Sequence, residues 1–299
     1  MTFQDGGNFN SRRVQKRGPS RGGKAAAGGG IGVLAIIILS QVFNVDLTPF
    51  AGLLNGGSSQ TGSYEETDLQ GCETADLANT NDECRYGWTL ESLDGYWATA
   101  LPAQTGVKYE IPPAVSFTDS VSTACGGATS ATGPFYCPAD ETVYIDVSFY
   151  ETLRQDFGAS GGSLAQMYII AHEVGHHIEN QTGILGAAKR QDSGANSDSV
   201  KIELMADCLA GMWAGSAATD PNPATGRPDL EPITKAQLAD ALDAAAAVGD
   251  DRIQEAMTGK VSPHSFTHGT AAQRQQWFTT GYTTGDFNQC NTFEAASLG

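Results

Sequence analysis

The sequence predicts an α+β domain: a small sheet with ligand-bearing helices, placed after a single N-terminal transmembrane helix. Two helical segments each carry polar groups four residues apart, His172 and His176 in one, Glu203 and Asp207 in the other. The segment Thr142-Val143-Tyr144-Ile145-Asp146-Val147 is β-branched and aromatic, as a strand is. The first 24 residues hold Arg12, Arg13, Lys16, Arg17, Arg21 and Lys24 against Asp5 alone, and a charge-free run follows from Ala25 to Val45.

That run is just long enough to span a bilayer as a helix, and its basic flank predicts a cytoplasmic N-terminus. No small-residue cleavage pattern follows the apolar centre, which favours an uncleaved signal anchor; Gly28-Gly29-Gly30 weakens the run as a helix and leaves a cleaved export signal as the alternative. The expected organisation is a basic cytoplasmic tail over 1–24, a signal anchor over 25–45, a Gly/Ser-rich flexible linker over 46–71 and one extracytoplasmic domain over 72–299. The chain carries 17 basic and 34 acidic residues, a net charge of −17. An acidic surface of this kind excludes nucleic acid and anionic lipid as partners of the domain.

The segment around His172 has an apolar helical face in Met167, Ile170, Ala171, Val174 and Ile178. Ser163 with Gln166 has the form of a capping box, and Gly183 is the stop. On this helix the two imidazoles lie one turn apart on one face, so they can share a metal. The stretch is H-E-x-x-H, and Glu173 points about 100° away from His172, beside the metal and not on it. Such a site needs one more ligand from a separate element and leaves a position to water. Glu203 is the natural donor, because a carboxylate among Leu204, Met205, Ala206 and Leu209 is costly to bury without a cation. Asp207, one turn on, can accept a hydrogen bond from a ligand histidine. The donor set favours Zn2+, one per chain, and Glu173 is placed to act as general base.

HEVGHH at 172–177 followed by ELMADCLAG at 203–211 resembles the glutamate-ligand zinc peptidases, the gluzincins. More closely, the chain is similar to the bacterial neutral zinc metallopeptidase family. Further matching stretches are GPFYCPADETVYID at 133–146, GDDRIQ at 249–254 and SFTHGTAAQRQQWF at 265–278, so the resemblance runs from about Cys72 to the C-terminus. It implies a zincin-like fold and metal-dependent hydrolysis. By analogy with gluzincins, His268 is the residue that helps hold the developing oxyanion; the alternative is that Thr267, His268 and Arg274 form a hydrogen-bonded turn. Arg274 either binds a substrate carbonyl or pairs with a buried carboxylate. His177 is expected outside the metal shell, behind it or on the surface, and His264 on the surface. In zincins the strand nearest the site is an edge strand on which an extended peptide can pair, and 142–147 is the strand expected there, with a core strand as the alternative.

Six cysteines fall in the predicted outer region. The simplest pairing is Cys72–Cys84, Cys125–Cys137 and Cys208–Cys290, as an exported domain permits. Cys208 as a metal ligand would leave the carboxylates unexplained. Thr234 with Gln237 opens a further capped helix, and 251–257 a short one. The function these features support is a membrane-anchored extracytoplasmic zinc endopeptidase acting on a peptide or protein substrate. The other readings are a zinc-stabilised cell-surface binding module without turnover, and an amidase on a non-protein substrate.

Overall fold

The computed structural model describes residues 3–7, 9–19, 64–155 and 161–299. In chain order the strands are β1 (Gln15–Pro19), β2 (Tyr64–Asp68), β3 (Ala114–Phe117), β4 (Ser120–Thr123), β5 (Gly126–Thr129), β6 (Phe135–Cys137) and β7 (Thr142–Ile145). The helices are α1 (Ala75–Thr80), α2 (Asp82–Thr105), α3 (Phe149–Gln155), α4 (Ser163–Gln181), α5 (Ile184–Ala187), α6 (Asp198–Ala217), α7 (Lys235–Ala247), α8 (Asp250–Thr258), α9 (Ala271–Thr284) and α10 (Phe287–Cys290). A five-stranded mixed sheet runs in the order β2-β1-β3-β7-β6, and β4 with β5 makes a separate two-stranded hairpin. The fold is α+β with a small sheet, as its sequence pattern predicts.

The N-terminal assignment is corrected. Residues 3–19 are not a detached cytoplasmic tail: β1 lies inside the sheet, antiparallel to β2 and parallel to β3. Val14 and Phe3 are buried in the main core. Arg13 is buried against Asp94 and donates to the Pro112 carbonyl at 3.0 Å. A strand hydrogen-bonded between two others shares their side of any membrane, so a single crossing cannot separate this segment from the domain. The flexible linker is shortened as well, because residues 64–68 of 46–71 form β2. The anchor at 25–45 and the rest of the linker lie outside the described residues. Among the described residues no helix is long and apolar enough to cross a membrane.

The core is a helix stack built on α4 and α6. Both are apolar through much of their circumference, and Val174, Ile178, Leu204, Leu209 and Trp213 are fully buried. Two close approaches set the geometry. A Cβ on Gly281 of α9 would sit 1.8 Å from the Cys208 carbonyl, and one on Gly175 of α4 would sit 3.0 Å from the Ala206 backbone. Only glycine lets α9 close on α6, and at Gly175 a larger residue would have to push α6 back by a few tenths of an ångström from the ligand helix. Gly175 falls inside the H-E-x-x-H stretch, so the same residue that spaces the histidines brings the second helix into bonding range.

The capping box at Ser163 does not form. Helix α4 begins at Ser163 with Gly162 as N-cap, while Gln166 donates to the Gly161 carbonyl and accepts from Arg85. Gly183 does stand in the left-handed region just past the helix end. The box at Thr234 and Gln237 forms at the head of α7. All three expected disulfides are present, with the pairings 72–84, 125–137 and 208–290. Cys208 therefore serves a bridge from α6 to α10 and is no metal ligand. Strand β7 is an interior strand, between β3 and β6; the edge near the site is β6, antiparallel to β7.

Candidate active site

The approach of α4 and α6 brings His172, His176 and Glu203 together. His172 Nε2 lies 3.2 Å from Glu203 Oε2, and His176 Nε2 lies 3.6 Å from Glu203 Oε1. One donor atom from each of the three falls within 4.8 Å of the other two. Ligands about 2.0–2.1 Å from a tetrahedral zinc stand about 3.3 Å apart, so the spacing fits the ion. The tautomers fit too. His172 Nδ1 faces Asp207 Oδ1 and His176 Nδ1 faces Glu179 Oε2, both at 2.9 Å. With each Nδ1–H donating to its carboxylate, both Nε2 lone pairs face the Glu203 oxygens. Three acceptors facing one another require a cation or a proton between them. With no cation there, burial works to deprotonate His172, but the hydrogen bonds of Asp207 and Glu203 outweigh it and lift its pKa to about 10. Burial likewise works to raise Glu203, and the surrounding histidines, His268 foremost, hold it well below the usual carboxylate range.

Asp207 is fully buried, and Arg274 on α9 pairs with it through two contacts, Nε to Oδ2 at 2.8 Å and Nη2 to Oδ1 at 2.9 Å. Tyr168 also donates to Asp207. Of the two roles open to Arg274, the structure shows the buried ion pair. It lies behind His172 and fixes the carboxylate that fixes the imidazole.

Glu173 and His268 line one cleft with the three ligands, about 630 Å³ in volume. Glu173 is nearly buried, at 8% exposure. His268 is held by Asp250, the first residue of α8, which accepts from the backbone N–H groups of Thr267, His268 and Gly269 at 2.7, 2.7 and 3.0 Å and faces His268 Nδ1 at 3.3 Å. A hydrogen-bonded turn at Thr267 and His268 is therefore present and presents His268 to the cleft, but Asp250 holds it, and Arg274, expected as its third member, pairs with Asp207 instead. Burial works to lower the pKa of His268, but Glu203 and Asp250 raise it, which favours the protonated donor.

His177 is neither on the surface nor behind the metal site. It is buried and ties α4 to the edge strand: its Nε2–H donates to the Glu110 carbonyl at 2.7 Å and its Nδ1 accepts from Tyr136 at 3.0 Å. Burial lowers its pKa below the usual 6.5. The neutral ring is part of the fold, so its contribution to stability is complete above pH 6.5 and is lost as the pH falls through the depressed value. Urea melts at pH 8 and pH 5 will show this loss, and His177→Gln will make it smaller.

Two residues at the site escape sequence reasoning. Asp250 falls within the matching stretch GDDRIQ, but no spacing links it to His268. Glu179 had a signal, its position three residues after His176 on the same helical face. It is fully buried, its Oε1 has no partner among the described residues, and burial pushes its carboxyl up to about 7 against the pull of His176. Glu179→Ala will weaken zinc binding about 10–100-fold in chelator competition, and Glu179→Gln, which keeps an acceptor, will lose much less.

The chain matches, over residues 2–293, the family described as "Putative neutral zinc metallopeptidase", and it belongs to that family. The match reaches back to residue 2, so the N-terminal segment expected to lie outside the resemblance is part of it. The chain is similar to "Uncharacterized protein YpfJ" of Escherichia coli K12, 38% identical over 301 residues that cover 96% of this chain and 95% of that one. It is also similar to "Uncharacterized protein Rv2575" of Mycobacterium tuberculosis H37Rv, 49% identical over 232 residues that cover 78% of each. No solved structure matches.

Proposed function

We propose that this protein is an extracytoplasmic zinc-dependent endopeptidase, with one Zn2+ per chain held by His172, His176 and Glu203. The observation that carries the reading is the convergence of two Nε2 lone pairs and one carboxylate, with Glu173 in the same cleft. Zinc held by these residues would polarise a scissile carbonyl and acidify a water. Glu173 takes the proton of the attacking water and passes it to the leaving amine. His268, whose Nδ1 faces Asp250, donates to the carbonyl oxygen as negative charge develops there. Asp207 and Glu179 hold the ligand rings in one tautomer. Strand β6 is the last strand of the sheet and lines the cleft, where an extended peptide pairs by backbone hydrogen bonds.

Three disulfides and no free cysteine support an oxidising compartment. Membrane attachment through 25–45 fits this location when the run meets the bilayer from the domain's own side, since β1 and β2 bracket it. The test is metal analysis together with digestion of a peptide library by the zinc-loaded protein and by the chelated protein. One zinc per chain and cleavage that chelator abolishes and zinc restores is the expected result. Chelation that unfolds the domain, with no cleavage in either state, would show that the ion serves only the fold.

A further inference from the structure

The hairpin β4–β5 stands apart from the main sheet and forms one wall of the cleft. Thr123, Gly126, Gly127 and Ala128 line the space that holds the ligand histidines. An isolated pair of four-residue strands is marginal on its own. At its base Val121 and Ala128 pack with Val115, Phe117 and Tyr144 in a small cluster separate from the main core. At its tip the ties are the Ala124 N–H, which donates to Asp140 at 2.9 Å, and the Cys125–Cys137 disulfide, which fastens the tip to the edge strand β6.

The three disulfides differ in access. Cys72, Cys84, Cys208 and Cys290 are all buried. Cys125 is exposed and lines the cleft, while its partner Cys137 is fully buried. Thiol–disulfide exchange begins with attack on a sulfur that the reductant can reach, so this bridge is the open target.

We propose that Cys125–Cys137 is a redox-sensitive latch on the substrate cleft, opened by small dithiols ahead of the other two bridges, and that its opening frees the hairpin wall against which substrate packs. One thiolate of the dithiol attacks the Cys125 sulfur, the S–S bond breaks, and Cys137 leaves as a thiolate that takes up a proton. The second thiol of the reductant then displaces Cys125, which also ends as a thiol. The reductant leaves as a cyclic disulfide, and two electrons and two protons have passed to the cysteine pair. The substrate consequence rests on the peptidase reading; the latch itself does not.

The experiment titrates the zinc-loaded full chain with dithiothreitol, quenches with iodoacetamide and maps the labelled cysteines by mass spectrometry. Cys125 and Cys137 should be labelled at about tenfold lower reductant than the other four. Hydrogen exchange should then show amides 120–129 losing protection while zinc content is unchanged. The KM for a cleaved peptide should rise about tenfold, with a smaller change in kcat. The Cys125→Ser/Cys137→Ser variant should have the raised KM without reductant and no response to it. Earlier labelling of either other pair, or a hairpin as protected after opening as before, overturns the latch. An unchanged KM with a loosened hairpin overturns its role in substrate binding. If the untreated protein cleaves nothing, the peptidase reading fails, while labelling and exchange still decide the latch.

Discussion

Glu173→Gln will bind zinc as the wild type does and cleave peptides about 10²–10⁴-fold more slowly. The substitution changes one oxygen for an amide nitrogen and leaves size and shape alone. The side chain stands beside the three ligands and is not one of them, so metal content is the control that separates loss of a proton acceptor from loss of the site. The fall should appear in kcat, with KM near its original value, because the carboxylate acts on the water more than on the bound peptide. The same rate in wild type and variant would remove Glu173 from the chemistry and leave the cleft without a base.

Arg274→Met will destabilise the domain by about 3–5 kcal/mol, read from denaturant melts of the chelated protein. The guanidinium is 3% exposed and pairs through two hydrogen bonds with an aspartate that water does not reach. Removing it strands the Asp207 charge in the core, where Tyr168 and His172 are its remaining partners. The double variant Arg274→Met/Asp207→Leu should recover much of the stability, since no charge is left unpaired, yet bind zinc poorly because nothing holds the His172 ring. Equal zinc affinity in the double variant and the wild type would show that Asp207 has no part in orienting the ligand.

What the sequence revealed and what it hid divide along a physical line. His172, His176, Glu203 and Asp207 were legible because helical spacing alone puts each pair on one face, and because carboxylates in apolar surroundings ask for a cation. Their convergence rests on a contact the sequence shows only as two glycine-permitted approaches, Gly175 on Ala206 and Gly281 on Cys208. His177 was misjudged because its neighbour on the helix is a ligand, whereas its own partners, Tyr136 and Glu110, come from distant segments. Strand β1 was hidden most completely. Gln15-Lys16-Arg17-Gly18-Pro19 has no apolar alternation, and its place is set by backbone pairing with β2 and β3. Charge and glycine made it look like a tail.

The place of β1 also dictates an order of assembly. This strand leaves the ribosome before either neighbour exists: Gln15 aligns with Asp68 on one side and with Val115 on the other. One flank must wait for β2, and the other stays unsatisfied until all of α2 and then β3 have been synthesised. A chain shortened to start at residue 72 would never receive it, and the bared flank of β3 would offer free amides and carbonyls to another copy. Such a shortened chain should therefore come out as aggregate, where a chain with residues 3–19 joined through a short loop to residues 64–299 should not.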